Sequence, residues 1–295
     1  MKAVVLHAPH HLVIEDRDMP DPGDGEVLVR IHKGGICGSD MHYYHHGGFG
    51  TVRMKAPMVP GHELLGVVER LGADVSGKSV GTSVAVNPSL ACGKCSYCAS
   101  GMPRHCSDMR FMGSAMRLPH EQGMFRDRLV VPAKQCVTFS DATSPAEAAC
   151  TEPLAVCLHA VAQAGDLRGA KVLVTGAGPI GLLTMAAARH AGAGVIVATD
   201  LTDAALQRAP AMGADRSINV ATDAHALLPY QESKGYFDVI FDCSAAAPAL
   251  RTAFACVGPR GTIVQVGVTG DLTIPLNALV GKEIVWRGPQ RFHDE

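Results

Sequence analysis

Hydrophobic positions change their rhythm about halfway along the chain. Before residue 150 they come as short runs at 27–31, 65–68, 84–86 and 129–131, separated by stretches rich in Gly, Pro and His. Short β-like runs between turn signals, with little helical periodicity, predict an irregular barrel or sandwich. Residues 144–164 differ: Pro145 can open a helix at its first turn, and Ala- and Leu-rich sequence follows. This segment reads as the connection between two domains, 1–150 and 151–295. From Lys171 onward strand-like runs at 172–175, 194–200, 217–220, 238–242, 261–266 and 283–287 alternate with helical stretches such as 181–191 and 204–212. Near-continuous apolar strands alternating with helices predict an α/β domain with a parallel, doubly wound sheet. Pro210 falls inside the second of these helices and should kink or end it.

Composition supports packed cores: 47% of the 295 residues are hydrophobic and 18% charged. A net charge of −2, from 26 basic and 28 acidic residues, offers nothing to a phosphate polymer, so no nucleic-acid partner is expected. The uncharged stretch 172–188 approaches the length of a membrane span. Gly176, Gly178, Pro179 and Gly181 interrupt it, so it reads as buried strand, turn and helix, and no membrane partner is expected. The first residues carry too short an apolar run for a signal peptide. The ten cysteines are therefore expected to be metal ligands or thiols in a cytoplasmic protein rather than disulfides.

Four of them, Cys92, Cys95, Cys98 and Cys106, are spaced C-x2-C-x2-C-x7-C. That spacing can wrap four thiolates around one tetrahedral Zn²⁺ at about 2.3 Å each. Such a shell is closed and leaves no position for substrate, so this zinc is expected to be structural.

Gly176-Ala-Gly178-Pro179-Ile180-Gly181 follows a Val-Leu-Val-Thr run and opens an apolar helix, and Asp200 ends the next strand 19 residues beyond Gly181. This context fits a dinucleotide loop: Gly176 for the tight turn, Gly178 for close approach of the pyrophosphate, Gly181 for helix–strand packing. Asp200 would accept from the ribose hydroxyls and repel a 2′-phosphate, favouring NAD over NADP. The plainer alternatives are an ordinary strand-to-helix turn and an N-capping aspartate.

Cys37 and the pair His62-Glu63 lie 25 residues apart. Brought together, a thiolate, an imidazole and a carboxylate make an open zinc shell with one position for a substrate oxygen. A buried cysteine and a turn histidine are the alternative. Ser39 and His42, close to Cys37, could relay the proton of an alcohol to solvent.

Together these motifs resemble the zinc-containing medium-chain dehydrogenases, and within them the sorbitol dehydrogenase branch, including its L-idonate 5-dehydrogenases. The resemblance rests on Gly-Gly-Ile-Cys-Gly-Ser-Asp-Met-His-Tyr-Tyr, Lys-Ala-Pro-Met-Val-Pro-Gly-His-Glu, Ala-Val-Asn-Pro-Ser, Asp-Met-Arg-Phe-Met-Gly-Ser-Ala-Met and Thr-Glu-Pro-Leu-Ala-Val. It implies a GroES-like catalytic β-barrel domain followed by a Rossmann domain, and two zinc ions per chain. Catalytic zinc would be held by Cys37, His62 and Glu63, with Glu152 beside it, and structural zinc by the four clustered cysteines. Cys136, Cys150, Cys157, Cys243 and Cys256 match no ligand position and are expected to be buried thiols. Family members continue beyond the sixth strand and return to the catalytic domain, so the chain reads as C-terminally truncated. A remnant that binds zinc and nucleotide without turnover is then an alternative to the enzyme. Members are dimers or tetramers, so a homo-oligomer is expected of the full-length chain.

The implied substrate is a small polyol or aldonic acid. An aldonate needs a cation beside the zinc, best an arginine with its bidentate fork. Arg110 and Arg291 are the candidates, the latter matching a substrate-contacting arginine of the branch. Either could equally be an ordinary surface arginine. Tyr43, Tyr44 and Phe111 could line the pocket or pack in the core. The reaction expected is oxidation of L-idonate at C5 to 5-keto-D-gluconate with NAD, the alternative being a sorbitol- or xylitol-type polyol dehydrogenase.

Overall fold

A computed structural model of the chain describes residues 1–140, 142–223, 225–268 and 270–292. They form two compact units, Met1–Glu152 and Pro153–Glu295. In the first, strands β1 (Lys2–Ala8) and β2 (His11–Asp16) form an antiparallel hairpin. Strands β3 (Glu26–Gly35), β4 (Glu63–Leu71), β5 (Ser83–Val86), β6 (Arg128–Pro132) and β7 (Cys136–Thr138) build an antiparallel sheet ordered β6-β3-β4-β5-β7. Alternation along these strands turns Val27, Val29, Leu64, Val68, Val84, Val86, Leu129 and Val131 into one core. All four expected runs lie in this sheet. β3 runs on past its apolar part through exposed His32 and Lys33 to pair Gly35 with Glu63. That extension brings the chain to helix α1 (Gly38–His46) at the end of the sheet.

The helix expected over 144–164 is two helices, α2 (Pro145–Ala149) and α3 (Thr151–Ala164). α2 opens on a capping box: Ser144 Oγ accepts from the Glu147 N–H, and the Glu147 carboxylate accepts from the Ser144 N–H. Cys150, between the two helices, is exposed to solvent, and Cys243 is half-buried. The expectation of buried thiols fails at these two positions, because one ends a surface helix and the other lies in a loop beside a cavity. Cys136, Cys157 and Cys256 are buried.

In the second unit, β8 (Lys171–Thr175), β9 (Val195–Asp200), β10 (Arg216–Asn219), β11 (Phe237–Asp242), β12 (Val257–Gln265) and β13 (Val285–Arg287) pair in parallel, in the order β10-β9-β8-β11-β12-β13. The order reverses between β8 and β11, as in a dinucleotide fold. One face of the sheet packs Val172, Val174, Ala198 and Phe241 against helix α4 (Pro179–His190). The other packs Leu173, Val197, Ile240 and Ile263 against helix α6 (Ala247–Cys256). The helix expected at 204–212 is only the one-turn α5 (Asp203–Leu206), followed by a 3₁₀ turn at Pro210–Met212. Pro210 has no N–H to continue the α-helical ladder, which accounts for the shortening. β12 begins at Val257, earlier than expected, because Gly258, Pro259 and Arg260 form a bulge that sequence reads as a turn.

Candidate active site

Cys37 is the N-cap of α1, where its backbone turns from extended to helical. Its N–H donates to Oδ2 of Asp40 at 3.0 Å, while Oδ1 of the same carboxylate accepts from the Gly61 N–H at 2.9 Å. One buried aspartate thus joins the two segments that carry the expected ligands. The ligand atoms of Cys37, His62 and Glu63 all lie within 4.8 Å of one another. Nδ1 of His62 is buried and finds no hydrogen-bond partner among the described residues, standing 3.8 Å from Asp40 Oδ1. A buried imidazole with an unsatisfied nitrogen is costly unless something else occupies that nitrogen. Thiol, imidazole and carboxyl are the donor set zinc favours, so the residues fit the metal. Burial raises the pKa of the Cys37 thiol and of the Glu63 carboxyl above their ordinary values, and the neighbouring Asp40 charge adds to both rises.

Glu152, in the first turn of α3, belongs to the same neighbourhood. Burial pushes its carboxyl up to about 8, with the His62 charge opposing and the Glu63, Cys37 and Asp40 charges adding to the rise. Ser39 offers both its hydroxyl and its N–H to the Cys37 sulfur, and is half-buried. His42 lies one turn along α1, exposed, its ring 5.1 Å from Phe49 and 5.8 Å from His46.

Among the pocket candidates, the Phe111 ring lies 5.3 Å from the His62 ring. Tyr43 packs in the core, the second of the two readings its sequence position leaves open. It is buried with Leu6, Met58 and Ala115, and its hydroxyl accepts from the Ala115 N–H at 3.1 Å and lies 3.4 Å from Ser114 Oγ. Tyr44 is half-buried against the same cluster, its ring 5.0 Å from that of His10. The Arg110 fork is already filled: Nε and Nη2 donate to the two Glu121 carboxylate oxygens at 2.8 and 3.2 Å. Arg291 follows β13 in the second unit, half-buried, with a left-handed φ of 52°. Sequence reasoning missed Asp40, although an acidic residue three positions after the N-cap has capping-box spacing.

Cys92, Cys95, Cys98 and Cys106 form the second cluster, their sulfurs within 4.8 Å of one another. Cys106 Sγ accepts from the N–H groups of Cys92 and Asp108 at 3.2 and 3.4 Å, and Cys92 Sγ from the Cys95 N–H at 3.4 Å. Hydrogen bonds led by the Cys98 and Ser107 N–H groups draw the Cys95 thiol down to about 5. Four converging sulfurs with N–H groups favouring the thiolate fit a closed zinc shell.

In the second unit a cavity of about 600 Å³ opens at the carboxyl ends of the strands, lined among others by Thr175, Gly176, Gly178, Asp200 and Ser244. Gly176 has φ +88°, and a Cβ on Gly181 would meet Gly176 O at 1.8 Å, so both positions require glycine. At Gly178 a Cβ would meet nothing within 4 Å, leaving room for a ligand against the backbone. Pro179 takes the first position of α4, and Ile180 O accepts from the Thr184 hydroxyl at 2.7 Å. Asp200 Oδ2 accepts from the Ala177 N–H at 2.8 Å, while Oδ1 accepts from Leu201 and Thr202 at 2.7 and 3.2 Å. This cradle fits a dinucleotide.

A thiol–imidazole–carboxyl cluster on a β-rich unit, followed by a dinucleotide fold, defines a metal-dependent dehydrogenase. The alcohol dehydrogenase GroES-like domain family matches residues 23–141, and the zinc-binding dehydrogenase family matches residues 179–294. L-idonate 5-dehydrogenase (NAD(P)(+)) of Escherichia coli K12 is 42% identical over 276 residues, 93% of this chain and 79% of that protein. Sorbitol dehydrogenase of Bacillus subtilis is 35% identical over 278 residues, 94% and 78% of the respective chains. The crystal structure of the E. coli L-idonate 5-dehydrogenase superposes with a TM-score of 0.94 at 39% identity, covering 99% of this chain and 84% of that one. The chain belongs to the zinc-dependent medium-chain alcohol dehydrogenases, among the polyol and sugar-acid dehydrogenases. Among the described residues, no helix is long and apolar enough to cross a membrane.

Proposed function

We propose that the chain oxidises a secondary alcohol of an aldonic acid, L-idonate at C5 to 5-keto-D-gluconate, with NAD as acceptor. The observation that carries this reading is the buried, unsatisfied His62 Nδ1 gathered with Cys37 and Glu63 into one donor set. Cys37, His62 and Glu63 would hold a catalytic zinc, Glu152 would stand beside it, and the four clustered cysteines would hold a second, structural zinc. When bound, the zinc supplies Lewis acidity that favours the alkoxide, and NAD supplies the hydride acceptor.

Asp40 ties the Cys37 and Gly61 segments together and so sets His62 beside Cys37. The Ser39 hydroxyl takes the alcohol proton, and His42, exposed one turn along α1, hands it to solvent. Gly176, Gly178 and Gly181, with Pro179 and Ile180 opening α4, shape the pyrophosphate cradle. Asp200 accepts from the ribose hydroxyls and disfavours a 2′-phosphate. For the substrate carboxylate the candidate is Arg291, which matches a substrate-contacting arginine of the branch, while the Arg110 fork is taken by Glu121. The sorbitol dehydrogenase relative favours a second reading, a neutral polyol as substrate.

Steady-state rates on L-idonate, sorbitol and xylitol with NAD and NADP test the assignment. A higher kcat/KM for L-idonate with NAD is expected. A clear preference for a neutral polyol would remove the acid assignment and leave the dehydrogenase reading in place.

A further inference from the structure

Asp242 ends β11 with no solvent exposure, and the mechanism above leaves it without a task. Fully buried carboxylates are rare without dedicated partners. Here Oδ1 accepts from the Thr175 hydroxyl at 2.5 Å and from the Ser244 hydroxyl and N–H at 2.7 and 3.1 Å, while Oδ2 accepts from Gln265 Nε2 at 2.6 Å. Thr175 and Gln265 are its register partners on the two flanking strands. One carboxylate therefore ties the carboxyl ends of β8, β11 and β12 and spans the point where the strand order reverses.

The ties reach the loops. Gln265 Nε2 also donates to Gly267 O at 3.0 Å, and the chain at Gly267 runs so close that a Cβ there would lie 2.8 Å from Ala245 N. On the other side, a Cβ on Gly176 would lie 3.1 Å from Ser244 N. Sheet packing alone would be served by an apolar residue, so the carboxylate is best explained by what it spaces.

We propose that Asp242 is a positioning residue for the dinucleotide, setting through Gln265 the distance between the loop after β11 and the loop after β12. The proposal rests on the dinucleotide reading of the cleft. In a doubly wound sheet each mononucleotide lies on one half, with Asp200 on the β8–β10 half and the nicotinamide side on the β11–β13 half. The Asp242–Gln265–Gly267 chain belongs to the second half.

Asp242→Asn separates the two directions. Its Oδ1 can keep Thr175 and Ser244, but its NH₂ group opposes the Gln265 amide nitrogen. Gln265 must turn its Oε1, buried and unpartnered among the described residues, toward Asn and release Gly267 O. Calorimetric binding of NADH and of AMP to the full chain reads the difference. The variant is expected to bind NADH about tenfold more weakly while AMP affinity stays within about twofold. Gln265→Leu, which keeps the carboxylate with its Thr175 and Ser244 bonds, should give the same split and decides the matter if the Asp242 variant does not fold. Equal weakening of both ligands marks a general loosening and overturns the proposal, as does unchanged NADH binding in both variants. If the unaltered chain binds no NADH, the dinucleotide reading falls and takes this role with it.

Discussion

Nδ1 of His62 stands 3.8 Å from Oδ1 of Asp40, both side chains buried, and that same oxygen accepts the Gly61 N–H. Asp40 therefore fixes the approach of the Cys37 segment to the Gly61–His62 segment. An asparagine in its place keeps one acceptor and sets an NH₂ against an N–H that now donates. Asp40→Asn is expected to lower zinc affinity about 10- to 100-fold, because the Cys37 and His62 segments lose the carboxylate that holds them together. Chelator competition followed by metal analysis measures it, and unchanged affinity would show that Asp40 only caps α1.

The cysteine lobe should behave independently. Cys98→Ser removes one of four converging sulfurs, so bound zinc is expected to fall from two per chain to one. The lobe then loses its organising centre and becomes open to trypsin at Lys94 and Arg104, while the Cys37 cluster keeps its metal. Loss of both metals together would mean that the two clusters do not fill separately.

Two glycines of the nucleotide loop should fail in different ways. A Cβ at Gly181 would overlap Gly176 O at 1.8 Å, and backbone cannot yield cheaply. Gly181→Ala is expected to destabilise the second unit by about 3 kcal/mol and lower its melting temperature by roughly 10 °C. At Gly178 a Cβ meets nothing, so Gly178→Ala should melt normally and yet bind NADH poorly, the methyl standing where the pyrophosphate must approach. Calorimetry and an NADH titration separate the two; equal NADH affinity in Gly178→Ala would place the pyrophosphate elsewhere.

Much of this architecture was legible because it rests on local pattern. Apolar runs ending in Thr175, Asp200 and Asp242 mark the central strands, and a glycine loop between strand and helix marks the cleft. What was not legible depends on distant partners. Asp40 acts through Gly61, 21 residues away, and nothing in its own neighbourhood says so. Arg110 looked available until folding brought Glu121 against its fork. Sequence left Tyr43 open between pocket and core, and its position on the helix decides for the core beside Leu6 and Met58. β12 was underestimated because Gly-Pro-Arg reads as a turn, whereas the strand absorbs it as a bulge.

Lys282 shows how a residue outside any motif can hold an element in place. Its Nζ donates to the carbonyls of Phe254, Ala255 and Val257 at 2.9, 3.0 and 2.9 Å. The first two close the last turn of α6, where carbonyls lack helical partners and the helix dipole is negative. The ammonium's three donors therefore meet three acceptors. Lys282→Met keeps the length of the apolar stem but strips all three bonds, and is expected to cost the second unit about 1–3 kcal/mol. Urea unfolding followed by the lone Trp286, whose ring lies 5.9 Å from that of Phe254 on α6, reports this directly. A midpoint indistinguishable from that of the unaltered chain would mean that water caps α6 as well as the lysine does.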